Sequence, residues 1–290
     1  MTPGFKYHIV TIAAIFLSLT IGLVVGSLYV EPHLANQQKK VINQIRTVLD
    51  RENATQKKTI DQYRTFVAEM MPSLLRGKLA GVPVAIVQTG DYPDATGKAR
   101  EALQMADARI LSVTTIARAF GRPDELLKPA LAALQQRDPR FPADREGLAR
   151  KLAMALAHGD APTDGFMAAL EREDFIDTEP GNDYQTPAQY VVVVAGSRTE
   201  GSLRISNVDQ PLIAALQKQG LTVVACEPQE ALVSDIGAYR SLNIDVATVD
   251  NVDTDIGHCT LVFALRGEKD DYGTKETAKR LLPPSLARND

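Results

Sequence analysis

Tyr190-Val191-Val192-Val193-Val194-Ala195 is a hydrophobic run with no polar alternation. A strand with one face in water alternates apolar and polar residues. A run of this kind therefore reads as a strand buried on both faces, as in a parallel sheet flanked by helices. A second such run, Val82-Pro83-Val84-Ala85-Ile86-Val87, lies about a hundred residues earlier. Each is followed by a glycine-bearing loop (Thr89-Gly90, then Gly196) and an amphipathic helical stretch. The first of these stretches is Ala99 to Ala106; the second is Pro211 to Gln219, with Gly220 as its stop. Each leads to another strand, Ala108 to Val113 or Leu221 to Ala225. The strand–helix–strand pattern, met twice, predicts an α/β fold of two Rossmann-like modules, residues 77–183 and 184–290. Glu125 to Leu134 and Arg145 to Ala157 read as surface helices of the first module, and Gly181-Asn182-Asp183 as the linker. About 210 residues follow Gly77, enough for two domains of about a hundred residues each or one larger one.

Toward the amino terminus the chemistry changes. Ile9 to Val30 carries no charged residue, and at about 1.5 Å per residue it is long enough to cross a hydrocarbon core of about 30 Å. A cleaved signal peptide has a shorter apolar run and a basic leader, whereas only Lys6 and the terminal amine precede this one. Residues 1–32 are therefore expected to be an uncleaved single transmembrane helix. Gly22 and Gly26 form a small-xxx-small pair that permits close helix packing, although glycine is common in membrane helices in any case. Lys6 on one side and Lys39, Lys40 and Arg46 on the other leave the charge rule undecided. The general tendency of anchors with short amino-terminal tails places the bulk of the chain outside the cytoplasm, in the cell envelope.

Residues 33–76 are polar and helix-prone. Ile42, Ile45 and Leu49 make one apolar seam; Ile60, Tyr63, Val67, Met70 and Leu74 make another. The step from Leu49 to Ile60 is eleven residues, a stutter that locally unwinds a left-handed supercoil. Pro72 is placed to end or kink the helix. Two readings stand: a coiled-coil stalk that makes a homo-oligomer, and one amphipathic helix folded back on its own domain.

The rest of the sequence limits the chemistry. With a net charge of −4, no basic stripe, 6% aromatic residues and no Trp, nucleic acid is not an expected partner. The loop Gly196-Ser197-Arg198-Thr199-Glu200-Gly201-Ser202 follows a strand and precedes a helix, but a phosphate-cradling P-loop needs a lysine where Ser202 stands. A tight turn is favoured there over anion binding by backbone N–H groups. Cys226 and Cys259 are either one disulfide or two buried thiols. With His258 they are the weak metal-ligand candidates, since adjacent residues His258 and Cys259 point to different sides of a strand or helix. Asp250, Asn251, Asp253 and Thr254 form the most distinctive segment, after Ser234-Asp235-Ile236-Gly237-Ala238-Tyr239-Arg240. Short acids and amides at that density favour turns and helix caps over a calcium loop, whose spacing is missing. Thr254 or Asp255 is placed to cap a helix from Ile256 to Leu265; a strand from Cys259 to Leu265 is the alternative. Without a supported Ser/His/Asp or paired-carboxylate constellation, no enzymatic activity is expected.

Tyr7-His8-Ile9-Val10-Thr11-Ile12 with Gly22 and Gly26, Val249-Asp250-Asn251-Val252-Asp253-Thr254, Leu261-Val262-Phe263-Ala264-Leu265, Tyr272-Gly273 and Leu282-Pro283-Pro284 together resemble the mycobacterial-type copper transporter B family. The resemblance runs in order from the first residues nearly to the last. It implies a cell-envelope location and a role in copper homeostasis, described for the family as channel-mediated copper efflux across the outer membrane, with the copper ion as bound or transported species. It carries no copper ligands onto this chain. A pore through an outer membrane needs a series of antiparallel strands of alternating polarity, and one apolar helix cannot line a water-filled path. The expectation is a bitopic, stalk-mounted protein that supports copper handling within an assembly. The competing expectation is a non-catalytic envelope scaffold whose α/β modules bind another protein or a small metabolite.

Overall fold

The two apolar runs lie side by side. In the computed structural model, which describes residues 3–200 and 203–287, β1 (Pro83–Gln88) pairs in parallel with β4 (Tyr190–Val194), in register from Val84 opposite Tyr190 to Gln88 opposite Val194. Beyond β1 come β2 (Arg109–Ile116), parallel to it, and the short antiparallel β3 (Ile176–Thr178). Beyond β4 come β5 (Thr222–Cys226), β6 (Ala247–Val249) and β7 (Asp271–Tyr272), each parallel to its neighbour. The result is a single seven-stranded sheet in the order β3-β2-β1-β4-β5-β6-β7. The two expected modules are thus halves of one sheet. Each half alone would leave a strand edge of unpaired N–H and C=O groups, and the β1–β4 ladder pairs them.

The predicted linker is also part of this construction. The Asn182 side chain accepts from Val113 N–H (3.0 Å) and donates to Val113 C=O (2.9 Å), and Asp183 N–H donates to Leu111 C=O (2.7 Å). Gly181-Asn182-Asp183 runs along β2 and does not separate two domains.

Side-chain alternation explains the apolar runs. Ala85, Val87, Val191, Val193, Val223 and Ala225 point into one core, and Val84, Ile86, Val192, Val194, Val224 and Cys226 into the other. The first core is closed by α3 (Asp124–Arg137), α4 (Arg145–His158), α5 (Phe166–Arg172), α6 (Gln210–Lys218) and α7 (Asp235–Ser241). The helices expected at the surface, α3 and α4, bury Leu127, Leu131, Leu134, Leu148 and Leu152 there. The second core is closed by α2 (Pro93–Met105) and α8 (Asp255–Leu265), with Met71 and Leu75 from the end of α1 (Pro3–Leu75). Residues 255–265 are helical, so the strand alternative for Cys259 to Leu265 falls away; the end of α8, Leu261 to Leu265, is apolar on every side and wholly buried. A short α9 (Pro284–Ala287) ends the described chain.

The chain divides into two compact units, Met1–Phe66 and Val67–Asp290. The first is helical wherever it is described. One stretch, Gly4–Ser27, is long and apolar enough to cross a membrane. Its serine and threonine hydroxyls are satisfied within the helix: Thr11 donates to Tyr7 C=O, Ser18 to Ile15, Thr20 to Phe16 and Ser27 to Val24, at 2.7 to 3.0 Å. In hydrocarbon such internal pairing is required of every polar group. Within the second unit, α1 ends three residues after Pro72, and Gly77 then turns the chain with φ +73° while its N–H donates to Asp107 (2.8 Å).

Candidate functional site

The strand order reverses between β1 and β4: the chain passes from β1 to β2 on one side, and from β4 to β5 on the other. The loops leaving the carboxyl ends of these strands diverge and leave a crevice, the usual ligand position in open α/β sheets. Here it measures about 910 Å³ and is lined by Thr89, Asp91, Arg118, Arg198, Thr199 and Arg204, among others. Glycine lets the two loops touch. A Cβ on Gly90 would sit 2.4 Å from the Ala195 carbonyl group, and Gly196 adopts φ +99°.

Hydrogen bonds lock the loops together. Thr89 and Gly90 N–H groups both donate to Val194 C=O (2.9 Å), and Asp91 N–H donates to Gly196 C=O (2.9 Å). Gly196 N–H donates to Asp235 (2.8 Å), Ser197 N–H to Val233 C=O (3.0 Å) and Arg198 N–H to Asp91 (2.9 Å). Gly196, Ser197 and Arg198 all spend their N–H groups on protein acceptors, so this part of the loop offers no backbone cradle. Gly201 and Ser202, the end of the motif read in the sequence, lie outside the described residues.

Charge is arranged in two layers. In the outer layer, Arg204 donates to Asp91 (2.6 Å) and to Ser197 Oγ (3.1 Å), bridging the two loops. Burial pushes the Asp91 pKa up, but the Arg198 N–H and the Arg204 guanidinium outweigh it and hold the carboxyl below its usual value. Arg198 lies over the Tyr92 ring at 5.0 Å, and the Tyr92 hydroxyl donates to Ser197 C=O (3.3 Å). In the inner layer Asp235, at 2% exposure, accepts from Ser197 Oγ (2.9 Å); burial dominates and raises its pKa. Asp209, fully buried, closes the π-helical turn Ile205–Asp209 that leads into α6. Neither of its carboxyl oxygens, nor Thr89 Oγ1, nor the Tyr239 hydroxyl has a hydrogen bond. Thr89 and Tyr239 are near enough to favour the carboxylate electrostatically, but burial prevails, aided by the charge of Asp235, and the Asp209 pKa rises to about 7. The sequence reading included Asp235 and Arg198 in its motifs; Asp91, Arg204 and Asp209 escaped it, because their meeting depends on strand order.

The metal candidates occupy other places. Cys226 ends β5, and Cys259 lies on α8; both are free thiols in the second core. Burial raises the pKa of both, that of Cys259 to about 11. His258 is 5% exposed, neither ring nitrogen has a partner, and burial lowers its pKa. Among the described residues no three His, Cys, Asp or Glu side chains are grouped to hold a metal ion.

The Asp250 to Thr254 segment is structural in this geometry. Fully buried Asp250 accepts from Arg240 (2.7 Å) and from Thr274 N–H (2.7 Å), while Arg240 also donates to Tyr272 C=O (2.7 Å) and Thr248 Oγ1 (2.9 Å). Asp253 accepts from Gln229 N–H (2.7 Å). Thr254 caps α8, accepting from Gly257 N–H (3.0 Å) and donating to Asn251 C=O (2.8 Å). The buried Asn251 Oδ1 has no partner. Nearby Glu227 accepts from Lys275 (2.6 Å), Ile236 N–H (3.2 Å) and Ser234; burial is the largest influence and raises its pKa.

Fold and site define an α/β protein with a mostly parallel sheet, a crevice at the reversal of its strand order, and one amino-terminal helix suited by length and composition to a single-pass anchor. The chain belongs to the family described as copper transport outer membrane protein, MctB, whose family model matches residues 4–283. It is 24% identical over 300 residues to the copper transporter MctB of Mycobacterium bovis and to that of Mycobacterium tuberculosis. The match covers 93% of this chain and 95% of each relative.

Proposed function

We propose that this chain is a membrane-anchored cell-envelope protein that supports copper homeostasis without catalysis, working in a homo-oligomer held through α1 and not as a lone pore. The observation that carries the copper reading is the end-to-end family match, which takes in the apolar helix as well as the α/β unit. The assembly reading draws support from the open, mostly parallel sheet, whose flanking helices cover both faces, unlike the closed antiparallel strands of an outer-membrane pore. It also draws on the exposed apolar residues of α1, including Ile42, Ile45, Leu49, Ile60 and Tyr63. In this reading the bulk of the chain lies outside the cytoplasm. Copper is cargo for the assembly, and Cys226, His258 and Cys259 are the first ligands to test.

The experiment is cell-associated copper and growth under copper stress in a deletion strain and its complemented parent. Excess copper and sensitivity, both reversed by complementation, are expected; unchanged copper and tolerance would overturn the reading. A second reading is favoured by the crevice between β1 and β4: an envelope scaffold whose α/β unit binds a small ligand or a partner protein.

A further inference from the structure

Arginines from two loops converge on the crevice: Arg118 follows β2, while Arg198 and Arg204 both lie between β4 and the π-helical turn. Their roles differ. Arg204 is committed to Asp91 and Ser197 and acts as a strut between the loops. Arg118 and Arg198 are exposed, and among the described residues neither forms an ion pair with a carboxylate. Asp91 is taken up by Arg204 and the Arg198 N–H. The remaining lining carboxylate is Asp177, so two guanidiniums outside any ion pair face one carboxylate, with Arg118 also acting on Asp91 from a distance and Arg198 stacked on Tyr92.

The size and position of the crevice favour a ligand there. The crevice has the size of a small-metabolite site and stands at the carboxyl ends of parallel strands where their order reverses. Thr89, part of the lining, turns its buried hydroxyl toward the Asp209 carboxyl and is left out of the recognition. The backbone N–H groups of residues 196–198 are spent, so the donors these residues and Arg118 offer are side chains. Guanidiniums are suited to recognition, since their fork of donors matches the paired oxygens of a phosphate or carboxylate.

We propose that the crevice between β1 and β4 binds a small organic oxyanion, phosphate- or carboxylate-bearing, held by the guanidiniums of Arg118 and Arg198. The proposal rests on the second reading above, in which the α/β unit binds a ligand, and makes no use of copper.

The test uses the full chain in detergent micelles and follows thermal unfolding against inorganic pyrophosphate, citrate and sodium chloride at matched ionic strength. A saturable rise in midpoint with pyrophosphate identifies the phosphate class, and one with citrate alone the carboxylate class; chloride should give none. Arg118→Gln and Arg198→Gln should each weaken the active anion about tenfold or more, the usual effect of losing a charge-assisted hydrogen bond. Arg118→Gln should leave the unliganded midpoint in place, and Arg198→Gln, which gives up the stack on Tyr92, should lower it by at most a few degrees, so each variant's affinity is read against its own unliganded midpoint. Lys128→Gln, which removes the same charge on α3, should leave affinity unchanged. No shift with either anion, an equal shift with chloride, or an equal loss in Lys128→Gln would overturn the proposal. Copper content of the deletion strain would be untouched by any of these results, so the two readings fail separately.

Discussion

Asp209 is the side chain whose environment departs furthest from water. Its carboxyl is fully buried without a hydrogen bond, and burial lifts its pKa from 3.8 to about 7. The direction of the pH effect follows. Between about pH 4 and pH 7 the unfolded chain has released this proton and the folded chain still holds it, so stability falls as pH rises through that window. Replacing the carboxyl with an amide removes the ionisation and keeps the shape. Asp209→Asn should therefore flatten the decline and raise the unfolding midpoint at pH 8, while changing little at pH 4. Midpoints measured from pH 4 to 8 check it, and parallel curves for the two proteins would refute it. Thr254→Ala should cost about 1 kcal/mol by urea titration, the usual worth of an N-cap. The contrast between these residues explains what could be read in advance. Thr254 meets its partner Gly257 three positions away, so the cap was visible in the sequence. Asp209, Thr89 and Tyr239 come from three distant segments, and nothing local marks them as neighbours.

At the scale of elements, the ladder alone does not account for β7. The strand is two residues long and β6 only three, yet Tyr272 is 1% exposed. Side chains supply the hold: Asp250 and Arg240, 0% and 5% exposed, pair at 2.7 Å, and Arg240 reaches Tyr272 C=O. Asp250→Ala leaves that buried guanidinium only the longer contact to Asp271, at 3.7 Å, and should cost about 3 kcal/mol, the lower end for breaking a buried pair. Thr248 and Asp250 N–H groups, which donate to Asp270 and Tyr272 (3.1 Å each), should lose hydrogen-exchange protection first. The double change Arg240→Met, Asp250→Ala should recover part of the loss, because no unpaired charge remains. A double variant as unstable as the sum of its singles would count against the pair. The same shortness explains which strands were legible. β1, β2, β4 and β5 are five to eight residues long, and β1, β4 and β5 are almost wholly buried, so they announce themselves as apolar runs. β3, β6 and β7 have two or three residues, including Asp177, Thr248 and Asp271, and are too short to show a period. Sequence order could not reveal that β1 and β4 pair, and that pairing makes one sheet of two apparent modules and creates the crevice.

At the scale of the whole molecule, the question is what brings copies together. The first unit offers two different surfaces. In the apolar stretch, a Cβ added to Gly22 or Gly26 would meet nothing within 4 Å, so both positions leave room for a close helix approach. Further along α1, Ile42, Ile45 and Leu49 are 61%, 54% and 52% exposed, an apolar seam open to solvent. The homo-oligomer proposed above uses the second surface, which sets an asymmetric expectation. Ile45→Glu with Leu49→Glu should convert the detergent-solubilised chain to monomer by light scattering, because a desolvated seam cannot take two charges. The melting midpoint of the Val67–Asp290 unit should stay within about 2 °C, since exposed surface changes away from special features usually cost at most about 0.5 kcal/mol. Gly22→Ile with Gly26→Ile should leave the oligomer intact. If the glycine pair dissociates it and the glutamate pair does not, contact lies in the apolar helix, and the seam along Ile42 to Leu49 is there for a partner of another kind. If neither pair has any effect, α1 does not hold the copies together, and the homo-oligomer has to be sought on the α/β unit.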